Sequence, residues 1–291
     1  MPTEVLRQVK KLELMTRHLV DGLLQGAYHS VFKGRGIEFS EVREYVPGDD
    51  VRAIDWNITA RMDTPYVKEF IEERDLNVFI LLDVSGSNDF GSRKPKKQSA
   101  VELSASLMFA AMRNNDNIGL VMFTDKVERY IPARKGRRHV LRLIRDMIHH
   151  KPEHRGSGLH EPLVFMSRIL KRKSIIFIVS DFMCEENYAP VLRILRKRHD
   201  VVAVRLRDIR EREIPDLGFI ELEDEETGEQ VLIDTSDPYF RKGYEAMLDQ
   251  GDKVFAGQMD RLRIDWIDIQ TDRPYEVALR QFFNKRLKRL R

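Results

Sequence analysis

The sequence predicts an α/β protein whose mostly parallel sheet is covered by helices on both faces. Two patterns carry this reading. Five short apolar runs, 77–83, 117–123, 174–180, 201–206 and 264–269, have the length and branched-aliphatic content of buried strands. Helical periodicities separate them, and strands alternating with helices call for parallel pairing through crossover connections. Size agrees: the chain has 291 residues, 42% of them hydrophobic, which is material for a sizeable core in one large domain or two smaller ones.

Taken in order, residues 4–25 place Val5, Leu6, Val9, Leu12, Leu19, Val20, Leu23 and Leu24 at mostly three- and four-residue steps, predicting an amphipathic helix. Residues 26–75 are rich in turns, aromatics and interleaved charges; Pro47-Gly48 predicts a tight turn. "PYVKEFIEE" alternates enough to be a strand, so residues 1–75 read as an N-terminal helix plus a small β-containing segment. From 76 to 291 the alternation of strand and helix takes over. Val101, Ala105, Met108, Phe109 and Met112 define one helix face; Val140, Leu141, Ile144, Met147 and Ile148 define the next; Tyr188, Val191, Leu192 and Leu195 define a third. "VERYIPA" (127–133) reads as an antiparallel edge strand reached by a tight turn. "FIELEDEETGEQVLID" (219–234) reads as an inserted hairpin turning at Thr227-Gly228. A long helix carrying Tyr244 to Leu262 and a last helix carrying Tyr275 to Leu287 complete the chain.

Charge narrows the function classes. Fifty basic residues nearly balance forty-seven acidic ones, for a formal net charge of +3, so the chain as a whole shows no pull toward nucleic acid or membrane. The local clusters "RKPKK" (93–97), "RKGRR" (134–138) and "NKRLKRLR" at the C-terminus read as solvated loops and helix faces. The single cysteine, Cys184, permits no internal disulfide and fits a reducing compartment. The N-terminal charges are too closely spaced for a signal peptide, and no run approaches the roughly 18 apolar residues of a membrane span. A cytoplasmic protein is expected, with any membrane contact made through a partner.

The chemistry-bearing stretch is "NVFILLDVSGSNDF" (77–90). An apolar strand ends in Asp83, and Ser85 and Ser87 follow at every second position. A later strand ends in "FIVSD", placing Asp181 at another strand exit. Open parallel sheets bind ligands beyond the carboxyl ends of their strands, where the strand order reverses. Carboxylates there, joined by neutral hydroxyls, suit a small hard cation, because Mg²⁺ takes oxygen ligands and needs only one or two carboxylates plus waters. The bland reading of the same residues is turn and helix capping.

Asp83-Val84-Ser85-Gly86-Ser87 resembles the metal-ion-dependent adhesion site of von Willebrand factor A-like domains. In that family the first loop supplies this pattern, a second loop a threonine, and a third an aspartate near a strand end. Ser157, in "RGSGLHEPL" (155–163), takes the threonine position, keeping the oxygen and losing the methyl that helps fix the rotamer. Asp181 takes the third. The resemblance implies a doubly wound sheet with Asp83, Ser85, Ser87, Ser157 and Asp181 holding Mg²⁺, Mn²⁺ or Ca²⁺ on its upper edge. A second resemblance covers nearly the whole chain. "GRGIEFSEVREYVPGDDVRAIDWNITAR" (34–61), "DEETGEQVLIDTSD" and "FFNKR" resemble a bacterial family called domain of unknown function fifty-eight. That family implies a partner class, the MoxR-type AAA ATPases. The alternating charges of the signature around Tyr45 and Trp56 fit either an internal ion-pair network or a partner surface.

These readings lead to a binding module that captures an acidic group of a protein partner through the cation, without catalysis. A metal-dependent phosphohydrolase is the alternative, although two-metal hydrolases use more carboxylates. No P-loop and no zinc-ligand spacing among the eight histidines is present, and His149-His150 are expected to face solvent. Nucleic-acid binding is weaker still: Phe282 and Phe283, the aromatics beside a basic cluster, are spaced with Leu279 for core burial.

Overall fold

The computed structural model describes residues 2–20, 25–32, 37–62, 64–72, 76–86, 95–154, 156–184, 186–212, 214–223 and 230–289. The N-terminal region opens with helices α1 (Pro2–Leu19) and α2 (Gln25–Phe32). Helix α1 matches the helix expected over 4–25 as far as Leu19, residues 21–24 of that expectation lie outside the described residues, and α2 falls in the stretch read as turn-rich. Eight residues containing Gly26, His29 and Ser30 have little helical tendency of their own. Tertiary contacts hold α2 instead. Tyr28 is fully buried, its ring meets Phe32 and Phe283, and its hydroxyl donates to Asp116 Oδ2 at 3.0 Å.

Strands β1 (Ile37–Glu44) and β2 (Tyr66–Glu72) form an antiparallel pair with a bulge between Phe39 and Glu41. Between them, Val46–Asp49 closes a turn (Asp49 N–H to Val46 O, 3.0 Å) with Gly48 at φ 116°, a conformation that excludes other residues cheaply only by strain. Much of the charge of the 34–61 signature acts within the segment. Arg43 grips Asp49 with two bonds of 2.7 and 2.8 Å, Asp50 caps a 3₁₀ turn (Val51–Ala53), and buried Asp55 caps helix α3 (Trp56–Thr59). Its apolar side chains Val46, Val51, Trp56 and Met62 stand exposed.

The main body begins with β3 (Asn77–Asp83), α4 (Lys96–Arg113), β4 (Asn117–Phe123), β5 (Val127–Arg134), α5 (Arg137–His149) and α6 (His160–Ile169). It continues through β6 (Ser174–Ser180), α7 (Ala189–Arg198), β7 (Asp200–Arg207), α8 (Ile209–Arg212) and the hairpin β8 (Phe219–Glu223) and β9 (Gln230–Asp234). Helix α9 (Pro238–Leu262), β10 (Asp265–Gln270) and α10 (Tyr275–Arg289) close it. The turn expected at Thr227-Gly228 lies outside the described residues.

Six strands form one sheet in the order β10-β7-β6-β3-β4-β5, all parallel except the edge strand β5, which runs antiparallel to β4 as the sequence predicts. Side-chain alternation sends Ile80, Leu82 and Phe177 to one face and Phe79, Leu81, Ile176 and Ile178 to the other, each into its own apolar cluster. Helices α4, α5 and α10 cover the first face, and α6, α7 and α9 the second. Val9, Val20 and Tyr28 of the N-terminal region join the first cluster.

Helix α4 departs from the amphipathic expectation. Fourteen of its eighteen residues are buried, because α1, α2 and α5 pack on the sides away from the sheet. Its serines and alanines permit that close approach. Phe282 and Phe283 are buried as expected. His149 is exposed, but His150 is largely covered, 3.8 Å from Glu128, and is not solvent-facing as the sequence suggests. Among the described residues no helix is long and apolar enough to cross a membrane.

Gly119 of β4 stands directly opposite Phe79 of β3, and a β-carbon there would overlap the Phe79 ring. Gly119→Ala is expected to destabilise the fold by about 1–3 kcal/mol through overpacking. Denaturant unfolding should show this, with recovery in the Gly119→Ala/Phe79→Leu double variant; an unchanged midpoint for the single variant contradicts the packing account.

Candidate metal centre at the carboxyl edge of the sheet

The strand order reverses between β3 and β6, whose parallel register sets Leu82 beside Val179. The next residues out, Asp83 and Ser180, are therefore neighbours, and Ser180 Oγ donates to Asp83 Oδ2 at 2.7 Å. The other oxygen, Oδ1, accepts the Ser85 hydroxyl at 2.6 Å and the Ser85 backbone N–H at 2.9 Å. Asp83, Ser85, Ser180 and Asp181 are all buried. The chain turns sharply after Asp181: Phe182 adopts a left-handed conformation at φ 59°, and its N–H returns to Ser180 Oγ at 3.0 Å. A non-glycine residue in that region costs about 1–2 kcal/mol. The packing of the Phe182 ring against Tyr188 and Phe255 holds it there.

Electrostatics marks the pair. Burial, and then the neighbouring charge of Asp181, push the Asp83 carboxyl up to about 6, against the opposing hydrogen bonds from Ser85 and Ser180. Asp181 has a cationic partner. Lys96, the first residue of α4, is fully buried, with its ammonium 3.0 Å from Asp181 Oδ2 and 2.5 Å from Glu211 Oε1. Burial works against the Lys96 charge, but the carboxylates of Asp181 and Glu211 outweigh it and hold the ammonium above the ordinary lysine range. The reading of "RKPKK" as a solvated cluster fails at this residue.

The remaining predicted ligands divide. Ser157 lies in the loop before α6, and three contacts moor that loop at the same edge. Gly158 N–H reaches Thr124 O at the end of β4 (3.3 Å), Leu159 N–H reaches the Cys184 sulfur, and His160 N–H reaches Glu186 Oε2 (3.1 Å). Asp83 pairs in register with Phe123, the residue before Thr124, so the first, second and third loops adjoin. Ser87 lies outside the described residues. Burial pushes the Cys184 thiol up to about 11, so it is no metal-binding thiolate at neutral pH.

Sequence reasoning missed Lys96, Ser180, Asp208 and Glu211. Asp208 follows the apolar strand β7 just as Asp181 follows β6, so the same signal could have found it. Its carboxylate accepts Thr271 Oγ1 and the Arg210 N–H, and its own N–H donates to Glu211 Oε2 at 2.9 Å, aiming Glu211 at Lys96. Lys96 gave no such signal, since its partners are 85 and 115 positions away in sequence.

The donor set is two carboxylates with serine hydroxyls, and it fits a hard cation of the Mg²⁺ kind. Among the described residues no group of three or more His, Cys, Asp or Glu side chains is arranged to hold a metal.

Comparisons with known proteins place the chain. The sequence matches the family described as "Protein of unknown function DUF58" over residues 41–253. An uncharacterized protein of Mycobacterium tuberculosis is 34% identical over 224 residues, covering 76% of this chain and 70% of that one. YeaD of Bacillus subtilis, also uncharacterized, is 30% identical over 108 residues, 37% of this chain and 25% of its own. Among solved structures, BatB from Bacteroides thetaiotaomicron superposes with a TM-score of 0.48 at 14% identity, over 73% of this chain and 99% of BatB. A von Willebrand factor type A protein from Catenulispora acidiphila gives a TM-score of 0.37 at 13% identity, over 49% and 35%. The family match covers most of the chain, which therefore belongs to the DUF58 family.

Proposed function

We propose that this chain is a metal-ion-dependent protein-interaction module, in which a divalent cation at Asp83, Ser85, Ser87, Ser157 and Asp181 captures an acidic group of a protein partner. The observation that carries this reading is the juxtaposition of Asp83 and Asp181, buried at adjoining strand ends with the Ser85 hydroxyl on Asp83. When bound, the cation supplies a Lewis-acidic position for a carboxylate oxygen of the partner; Mg²⁺ is the first choice and Mn²⁺ or Ca²⁺ the alternatives. Asp83 supplies the charge, Ser85 steers it, and Ser180 holds its second oxygen. Lys96 neutralises Asp181 locally, keeping the summed negative charge low enough for an incoming acid. The reading is binding without turnover, in the cytoplasm, and a MoxR-type AAA ATPase acting in protein remodelling or assembly is the proposed partner. The exposed Trp56 and its apolar neighbours in the signature segment suit a protein partner as well.

Calorimetry should show Mg²⁺ binding by the wild type and none by Asp83→Ala. Affinity capture with both proteins, each with magnesium and with chelator, should retain a partner only on metal-loaded wild type. Equal Mg²⁺ binding by the two proteins removes the metal role. Turnover of phosphate esters that is lost in Asp83→Asn would instead favour the hydrolase alternative.

The raised Asp83 pKa sets a pH dependence. Its folded value of about 6 exceeds the ordinary 3.8, so the folded state holds the proton more tightly than the unfolded chain. The contribution of Asp83 to stability is full below about pH 4 and is lost as pH rises to about 6. Comparing thermal unfolding of metal-free wild type and Asp83→Asn across that window should reveal the fall in the wild type alone.

Lys96→Met leaves Asp181 and Glu211 without their shared cation, an expected loss of about 3–5 kcal/mol. Saturating Mg²⁺ should restore more stability to Lys96→Met than it adds to wild type. A variant as stable as wild type without metal would show that the ion pair is not what neutralises this edge.

A further inference from the structure

The opposite end of the sheet holds a second site of the opposite charge. A cavity of about 520 Å³ opens where β6, β7 and β10 begin, between the C-terminal turns of α7 and α10. Six cationic side chains line it against two carboxylates, Asp200 and Asp265.

The cations fall into two groups. Arg286 and Arg289 belong to the wall. Arg286 holds Asp200 through bonds of 2.9 and 2.7 Å and Asp265 through one of 2.7 Å, with its guanidinium stacked over Phe32 and Phe282. Arg289 adds a bond to Asp265, so both carboxylates are already neutralised. Arg196 is tied by its Nε to Arg263 O at 2.9 Å. The other three, Lys173, Lys197 and Arg198, are exposed at the rim and make no ion pair among the described residues.

Cations near helix C-termini have a bland purpose, complementing the helix dipole. Two helix ends amount to roughly one negative charge in all. The lining carries a formal surplus of four positive charges, so most of it is left over. His199 adds an independent sign. It lines the cavity, its side chain is buried at 3% exposure, and its Nδ1 has no hydrogen-bond partner among the described residues. A buried polar atom without a partner is costly unless a ligand supplies one. Burial, and then the charge of Arg198, hold the imidazole below its ordinary pKa, so it is a neutral ring able to present an N–H to an oxygen.

We infer that this cavity is a binding site for a compact, multiply charged oxyanion of the phosphate class, with His199 Nδ1 donating to a non-bridging oxygen and Lys173, Lys197 and Arg198 closing on the remaining charge. Among the described residues no Phe, Tyr or Trp side chain lines the cavity, which favours a polyphosphate group over a nucleobase as the recognised element. The site is independent of the metal centre, since the two lie at opposite ends of the same strands.

The test is calorimetry of the full chain with inorganic tripolyphosphate in metal-free buffer. One molecule should bind per chain, and Lys173→Ala, Lys197→Ala and Arg198→Ala should each weaken it roughly tenfold, the value of one charge-assisted contact. Because these three residues are at the surface, their variants should keep the wild-type unfolding midpoint. His199→Gln, which retains an amide N–H, should bind better than His199→Phe. In wild type the His199 ring resonances should shift on adding tripolyphosphate and stay put on adding chloride of equal ionic strength. Asp83→Ala should bind the anion as wild type does, which separates this site from the proposed cation site. Equal affinity for wild type and the triple rim variant overturns the inference, as does random single-stranded DNA binding where tripolyphosphate does not.

Discussion

Two buried carboxylates at neighbouring strand ends repel each other and cannot both remain charged without a cation close by. Asp83 and Asp181 are in that position, and much of the carboxyl edge is organised around the problem. Lys96 answers it for Asp181, and serine hydroxyls answer part of it for Asp83. Lys96 can reach Asp181 only because α4 starts at this edge and is buried on nearly every side, which fixes its first turn against the sheet. Glu211 completes the arrangement from α8, oriented by the backbone of Asp208. The carboxyl edge is thus a cluster of acids at the ends of β3, β6 and β7, with Lys96 shared between Asp181 and Glu211.

The sheet itself is polarised. Its carboxyl end gathers acids: Asp83, Asp181 and Asp208 each follow an apolar strand. Its amino end gathers bases, at the start of β6 and in the last turns of α7 and α10. A formal net charge near zero conceals this separation, because fifty cations and forty-seven anions sum to little wherever they stand. The ion pairs Arg286–Asp200 and Arg286–Asp265 show how the basic end stays folded: a guanidinium bound to two carboxylates and stacked on aromatics fixes the wall and leaves the rim cations unspent.

Legibility in the sequence followed the range of the interaction. The strands 77–83, 117–123 and 174–180 are legible to the residue, because a strand buried on both faces is a contiguous apolar run bounded by polar residues. The edge strand and the hairpin are legible for a different local reason, short alternating runs set off by turn residues. Helix α2 was not, since its eight residues owe their helicity to the burial of Tyr28 against Phe283 and Asp116. The all-round burial of α4 was not legible either, because apolar periodicity marks the face toward the sheet and says nothing about helices arriving from the other side. His150 looks solvated in the sequence because its cover, Glu128, comes from a different element.

What the sequence determined by itself was the set of strands, their exits and the acids standing at those exits, since each is written in consecutive residues. Which exits became neighbours was decided by the strand order, and that order depends on contacts between residues a hundred positions apart. The tertiary structure alone placed Ser180 on Asp83, turned an apparently solvated lysine into the buried partner of Asp181, and gathered three strand starts and two helix ends into the basic cavity around His199. Charge and burial are properties of a place in the fold, so a residue's identity fixes what it can do, and only its neighbours fix whether it does it.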